Sequence, residues 1–392
     1  MLESVQNFLQ STGIYNWFSQ GDRWKTLIMI AISFALFYLA IVRKYEPLLL
    51  LPIAMGMFLT NLPGTNLFHP DFFITGEASF GEILSHGGLL DLLYLGVKLG
   101  IYPCLIFIGI GAMTDFTPLI ANPKSFLIGA GAQLGVFVAF SVALMTGLFT
   151  PQEAASIGII GGADGPTAIT VTKILAPKLL GAIAIAAYSY MALIPMIQPP
   201  LMKLLTTKKE RSIKMTTLRT VSKNEKILFP IVVTLVVFLF VPEAVLLVGC
   251  LMFGNLLNVC GVTERLSKTA QNELMNIVTI FLGISVGATA TAENFLSLQT
   301  IAIIFCGLAA FCVSSIGGLL TAKLMNVLTH GKINPLIGSA GVSAVPMAAR
   351  VSQIQGQKED PTNFLLMHAM GPNVAGVIGS AVAAGVFLSW FA

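Results

Sequence analysis

Long apolar runs recur from one end of this chain to the other, and they leave few folds open to it. Stretches of about 17 or more residues with almost no charge are the length a helix needs to cross a bilayer. Apolar length places candidate spans at 26–42, 47–62, 89–113, 125–148 and 178–205, then at 227–241, 243–260, 268–292, 297–328 and 361–390. Two further segments, 151–176 and 334–356, are apolar but interrupted by Gly and Pro. Composition closes the alternative of a large soluble protein. Of the 392 residues 55% are hydrophobic and only 10% charged, with a mean hydropathy of +0.84, whereas soluble domains carry about 25% charged residues. The chain reads as an all-α, multi-pass integral membrane protein.

The formal net charge of +4 is no nucleic-acid signal, because the basic excess sits in one stretch. Residues 206–226 hold Lys208, Lys209, Arg211, Lys214, Arg219, Lys223 and Lys226 against Glu210 and Glu225. A cluster of this kind beside membrane spans reads as cytoplasmic. Propagating that anchor puts Arg43-Lys44, Lys124, Arg265, Lys268, Lys323, Lys332 and Lys358 on the same side. The opposite side receives residues 63–88, which lack Lys and Arg but contain Asp71, Glu77 and Glu82. The assignment holds for ten spans plus two re-entrant hairpins, with both termini outside. Residues 1–25 read as an interfacial segment carrying Phe8, Leu9, Ile14, Trp17 and Phe18, or as a disordered lead. The five cysteines have no CxxC spacing and no nearby histidine, which argues against metal ligation or a disulfide framework. The first apolar run has no cleavage site after it and reads as a span, not a signal peptide.

The same reading exposes a duplication. Gly158-Ile-Ile-Gly161-Gly-Ala-Asp164-Gly-Pro166-Thr-Ala168 lies over Gly338-Ser-Ala-Gly341-Val-Ser-Ala-Val-Pro346-Met-Ala348 at a constant offset. Phe107-Ile-Gly109-Ile matches Phe281-Leu-Gly283-Ile. Five spans and one hairpin per half make an odd number of crossings, so the halves take opposite orientations. The expected organisation is a first inverted repeat at 26–205 with hairpin 151–176, a cytoplasmic linker at 206–226, and a second repeat at 227–392 with hairpin 334–356. Broken segments at corresponding places in inverted repeats point to a transport site near the midplane.

Asp164 is the residue that most needs an explanation. A carboxylate at the bilayer centre costs roughly 2.5–3.5 kcal/mol on insertion scales, so it requires a cation, a proton or a partner. Gly161, Gly162 and Gly165 permit unusual backbone angles, and Pro166 lacks an N–H, so carbonyl oxygens become free to bind a hard cation such as Na⁺. Such backbone is tolerated at depth only where protein or water covers it. The second break offers Asn334, Gly338, Ser343 and Arg350. Arg350 could neutralise Asp164, bind an anionic substrate or snorkel to the interface. Tyr190, mid-span in Tyr188-Ser189-Tyr190, reads as an ion ligand, a proton donor or a packed core residue. Asn373, in Gly371-Pro372-Asn373, occupies the corresponding place in the second half. Lys98, Lys173 and His368 also lie in apolar surroundings, where the lysines can snorkel.

At these residues the sequence resembles the beta subunit of the biotin-dependent, sodium-pumping decarboxylases, which act on oxaloacetate, methylmalonyl-CoA, glutaconyl-CoA or malonate. The resemblance covers nearly the whole chain and is strongest at 161–169, 334–350 and 371–374. It implies a Na⁺ site formed by Asp164, Asn334 and Asn373. It further implies that Tyr190 and Ser343 serve a second site or the proton path, that Gly338 allows close approach, and that Arg350 receives the carboxylate of carboxybiotin. Implied partners are a biotin carrier, a carboxyltransferase and a small gamma or delta membrane subunit, within a homotrimer in the bacterial inner membrane. The chain is short for the oxaloacetate type, which leans toward a CoA-thioester complex. Inverted repeats around a midplane Asp equally suit a secondary Na⁺-coupled carboxylate carrier or a Na⁺/H⁺ antiporter.

Overall fold

The computed structural model describes residues 8, 10, 12–19, 23–74 and 78–392. Leu9 of the expected interfacial segment and Glu77 of the expected outer loop lie outside the described residues. Within that segment Gly13–Ser19 is a short helix with Ile14, Tyr15 and Phe18 exposed.

Among the described residues there is no strand. Helices of eight or more residues are labelled in chain order: α1 Arg23–Ile41, α2 Pro47–Thr60, α3 Leu89–Lys98, α4 Ile101–Met113, α5 Ser125–Met145, α6 Pro151–Gly158 and α7 Gly165–Leu175. There follow α8 Leu180–Leu205, α9 Lys223–Phe240, α10 Val245–Val259, α11 Met275–Ala288, α12 Leu298–Leu328, α13 Met347–Glu359 and α14 Leu366–Phe391. Among the described residues five helical stretches are long and apolar enough to cross a membrane, or up to seven if each of two bent pairs counts as one span. Their outward faces carry apolar side chains such as Phe34, Leu127, Phe305 and Leu320, as does α9 with Leu235 and Leu239, while Gln133, Ser314 and Asn373 are buried. That is the distribution of a protein solvated by lipid, with its polar groups turned inward.

Two expected spans are not straight. The segment 89–113 is α3 and α4, bent by 64°, because Gly100 sits at φ 80°, a left-handed angle open to glycine. The segment 178–205 is helical throughout, yet its halves are inclined at 61°. Pro195 has no N–H for the Met191 carbonyl, and a helix bends where that bond is missing.

Both interrupted segments of the sequence are interrupted in space. Thr150 caps α6 in a capping box with Glu153, and Pro151 begins it. The helix tightens into a 3₁₀ turn at Ile159–Gly162, and α7 starts at Gly165. The second segment opens with a 3₁₀ stretch, Pro335–Gly341, runs irregularly to Pro346 and continues as α13. Around these breaks α5 packs on α12 and α14, α8 on α12, and the 335–341 segment on α12 and α14. Elsewhere α2 pairs with α11 and α4 with α10.

Candidate functional site

The first break ends on a residue in a strained place. Ala163 is left-handed at φ 54°, and Asp164 beside it is extended at φ −128°, ψ 96°. Asp164 is thereby the N-cap of α7, and its Oδ1 accepts the Thr167 N–H at 3.3 Å. Gly165 and Pro166 follow because the first positions of a helix need no internal N–H donor. Asp164 is buried, with 5% of the residue exposed, and its carboxylate lies at the positive end of the α7 dipole.

Three elements supply its surroundings. The Ser380 hydroxyl of α14 donates to Asp164 Oδ2 at 2.7 Å. Ser343 Oγ, from the second break, stands 2.9 Å from Ser380 Oγ and 2.9 Å from the Gly376 carbonyl. The Ser343 N–H donates to the Gly162 carbonyl at 2.9 Å, so the two breaks touch backbone to backbone. Gln133 of α5 donates its Nε2 to the Gly376 carbonyl at 3.2 Å. Asn373 donates Nδ2 to the carbonyls of Ala340 and Val342 at 3.0 and 2.7 Å, holding the second break in its irregular course. That leaves Gln133 Oε1 and Asn373 Oδ1 buried with no partner, together with Thr167 Oγ1, Ser314 Oγ and the Tyr188 hydroxyl. An orphaned buried polar atom costs about 1–3 kcal/mol. Amide and hydroxyl oxygens around a single carboxylate are hard, mostly neutral donors suited to an alkali cation. Among the described residues there is no group of three His, Cys, Asp or Glu side chains that could hold a metal ion.

The predicted site residues fall into three places. Asp164 and Ser343 are joined through Ser380, and Asn373 binds the carbonyls of Val342 and Ala344 on either side of Ser343. Gly338 lies where the 3₁₀ stretch crosses α12: a Cβ there would stand 2.3 Å from the Gly318 carbonyl oxygen, so the crossing requires bare backbone on both sides. Tyr190 is buried with its hydroxyl donated to the Ile304 carbonyl of α12, and makes no hydrogen bond to Asp164. Asn334 is also buried, but its Nδ2 goes to the carbonyls of Arg211 and Ile213 at 2.8 and 2.9 Å and its Oδ1 accepts from Leu336. Its hydrogen bonds therefore fasten the linker, not Asp164. Asn363 binds the same two carbonyls, and Arg211 pairs with Glu359 at 2.8 Å. Arg350 is exposed near the start of α13 and has no ion-pair partner among the described residues.

Of the other buried-looking candidates, Lys98 is exposed over the Phe73 ring. Lys173 donates to the Lys98 carbonyl at 3.2 Å, and His368 is buried. Sequence reasoning missed Ser380, Gln133 and Tyr188. Tyr188 packs against Gly165, where a Cβ would meet its ring at 2.1 Å, so of the Tyr188-Ser-Tyr190 pair it is Tyr188 that borders Asp164.

A polytopic helical protein with one buried carboxylate at the meeting of two broken helices, ringed by neutral oxygens, is a membrane ion transporter by class. Comparison with known proteins makes the class particular. Residues 25–391 match the family described as the Na⁺-transporting oxaloacetate decarboxylase beta subunit. The chain is 59% identical to the methylmalonyl-CoA decarboxylase subunit beta of Propionigenium modestum over 399 aligned positions, covering 100% of both. It is 57% identical to the glutaconyl-CoA decarboxylase subunit beta of Acidaminococcus fermentans, with 93% of each covered. With the oxaloacetate decarboxylase beta chain of Klebsiella pneumoniae it shares 51% identity over 434 aligned positions, with 99% of each covered. The chain belongs to the family of beta subunits of Na⁺-transporting decarboxylases.

Proposed function

We propose that this subunit releases CO₂ from carboxybiotin and uses the reaction to move Na⁺ outward through the Asp164 cluster. The observation that carries the reading is the contact of the two breaks at Asp164, Ser343 and Ser380. One carboxylate can be neutralised by one Na⁺ or one proton but not comfortably by both, which makes the two ions competitors for a single buried site. Na⁺ entering from the cytoplasm would take the Asp164 carboxylate, the Ser343 and Ser380 hydroxyl oxygens and the orphaned amide oxygens of Gln133 and Asn373. A proton arriving at the carboxylate would then release the ion. The chemistry consumes that proton: the N–CO₂⁻ bond of carboxybiotin breaks to give CO₂, and the proton ends on the biotin nitrogen. Arg350, exposed and without an ion-pair partner among the described residues, would pair with the incoming carboxylate through its fork of N–H donors.

The architecture that serves this function has ten spans, two re-entrant hairpins and inverted repeats. The pairing pattern supports it: taking the spans of the two halves in order matches α2 with α10 and α4 with α11, and the contacts of α2 with α11 and of α4 with α10 exchange under that match. Linker 206–226 and the exit of the second hairpin face the cytoplasm. There the subunit would meet a biotin carrier bearing carboxybiotin and, through it, a carboxyltransferase. A small gamma or delta membrane subunit, a homotrimeric assembly and a place in the bacterial inner membrane complete the reading. The relatives named for CoA thioesters align with fewer added positions than the oxaloacetate chain does, which favours a CoA-thioester complex.

Reconstitution in proteoliposomes with a carboxylated biotin carrier tests the proposal. Na⁺-stimulated CO₂ release coupled to Na⁺ movement is expected. Na⁺ flux that proceeds unchanged without carboxybiotin would replace this reading with a secondary carrier.

A further inference from the structure

The proposed reaction needs a way for the proton to leave Asp164 toward the cytoplasm, and one carboxyl group on that side is not used by the mechanism above. Glu46 stands just before α2 and follows Arg43 and Lys44, on the cytoplasmic side of the proposed topology. Its backbone is left-handed at φ 41°, an uncommon angle for a residue with a side chain. Although Glu46 is the N-cap of α2, its side chain makes no capping hydrogen bond. The residue is half-buried, and its carboxylate has no ion-pair partner among the described residues. Burial raises the Glu46 carboxyl above its ordinary value, so it takes up a proton more readily than a surface carboxylate does.

The link to Asp164 runs through α8. Tyr188 packs against Gly165, the neighbour of Asp164: a Cβ on that glycine would stand 2.6 Å from the Tyr188 hydroxyl oxygen. That hydroxyl is buried and has no hydrogen-bond partner. Phenylalanine would fill the same space without stranding a hydroxyl. A phenol both donates and accepts, as passing on a proton demands. Tyr190 is already engaged, because its hydroxyl is donated to the Ile304 carbonyl. The two carboxylates whose charge acts on the Tyr188 hydroxyl are Asp164 and Glu46. Helix contacts agree: α2 packs on α8, and the Tyr45 hydroxyl donates to the Met196 sulfur at 3.2 Å. The helices packed on α2 carry Arg23, Lys25 and Tyr38 on α1, Tyr188, Tyr190 and Lys203 on α8, and no titratable group on α11. They bring no third carboxylate to the pair.

We propose that Tyr188 and Glu46 relay the proton from Asp164 to the cytoplasmic face. This rests on the reading that Asp164 exchanges Na⁺ for a proton. Cytoplasmic Na⁺ displaces the proton from the Asp164 carboxyl. The Tyr188 oxygen accepts that proton and gives up its own to the Glu46 carboxylate. Glu46 then releases a proton on the cytoplasmic side, where the biotin nitrogen freed by cleavage of the N–CO₂⁻ bond takes it up. One proton leaves Asp164 and one reaches biotin, with both relay groups back in their starting states.

The test uses the intact decarboxylase complex, with the decarboxylation rate at saturating Na⁺ and equilibrium ²²Na⁺ binding measured side by side. Glu46→Gln keeps the shape but cannot carry the proton. Its rate should fall by about 10-fold or more, while ²²Na⁺ binding stays as in the parent. Tyr188→Phe leaves the ring against Gly165 and should show the same split. Glu46→Asp should recover most of the lost rate. Imidazole, a small diffusible acid and base, should restore part of it in Glu46→Gln, which a packing defect would not allow. Parental rates in both Glu46→Gln and Tyr188→Phe would overturn the relay. So would a loss of rate that comes with lost Na⁺ binding and no response to imidazole. The reading beneath it fails differently, by Asp164→Asn keeping its activation by Na⁺.

Discussion

The two breaks are alike in sequence and differ in what they hold. The first carries a carboxylate at the start of α7, steadied by the Thr167 N–H and the Ser380 hydroxyl. The second carries no charge within its irregular stretch. It is shaped instead by Asn373, whose amide gathers the carbonyls of residues 340 and 342, and its two ends are strapped to the linker by Asn334, Asn363 and Glu359. On the proposed reading one break provides the charge that draws a cation to the site. The other would provide neutral ligands, and its hydrogen bonds tie it to the linker, the proposed docking surface for a carrier protein. On the proposed duplication both halves carry a broken helix, and only one of the two holds a carboxylate.

If that division is right, the largest effect of a neutral substitution falls on the carboxylate's own partner. Ser380→Ala should raise the Na⁺ concentration for half-maximal decarboxylation by about 10–100-fold, with little change in the rate at saturating Na⁺. Gly338→Ala acts on the seat of the second break, where the new Cβ would press on the Gly318 carbonyl. A loss of about 1–3 kcal/mol is expected, read as a lower melting temperature. Arg211→Ala cuts the strap and leaves Glu359, itself only 19% exposed, without its partner. About 2 kcal/mol is expected there, with increased proteolysis of the linker and a smaller change in Na⁺ half-saturation than Ser380→Ala produces. Lys214→Ala removes the exposed contact to Asp360 and should cost under about 1 kcal/mol. Hydrogen bonds from Thr362, with Lys214 adding to them, hold the Asp360 carboxyl at about 2. Its contribution is therefore in place above the ordinary carboxylate range and is lost only as pH falls through about 2, so melting curves between pH 5 and 8 should show no change from this group.

The sequence made some of this visible and hid the rest for physical reasons. Gly and Pro clusters in apolar runs announced both breaks, the first marked also by a lone Asp, because such residues have few other uses at membrane depth. Ser380 gave no such signal: it stands in Gly379-Ser380-Ala381, where a small residue reads as helix packing. Only the fold brings it across 216 positions to Asp164. Gln133 was hidden in the same way among the small residues of α5. Tyr188 and Tyr190 cannot be ranked from spacing, since two residues apart on a helix they face different neighbours. Asn334 has the chemistry of an ion ligand, and its amide is spent on the linker carbonyls, a contact between segments more than a hundred residues apart. The bend after Lys98 depends on one glycine among 37, and nothing local distinguishes it.

The most direct measurement of the central claim is the Na⁺ dependence of decarboxylation in Asp164→Asn. The amide keeps the shape and can still meet Thr167 and Ser380, but it removes the charge that Na⁺ must balance. The account predicts that Na⁺ no longer stimulates CO₂ release and that Na⁺ transport is abolished. Normal activation by Na⁺ in the Asn variant would contradict it.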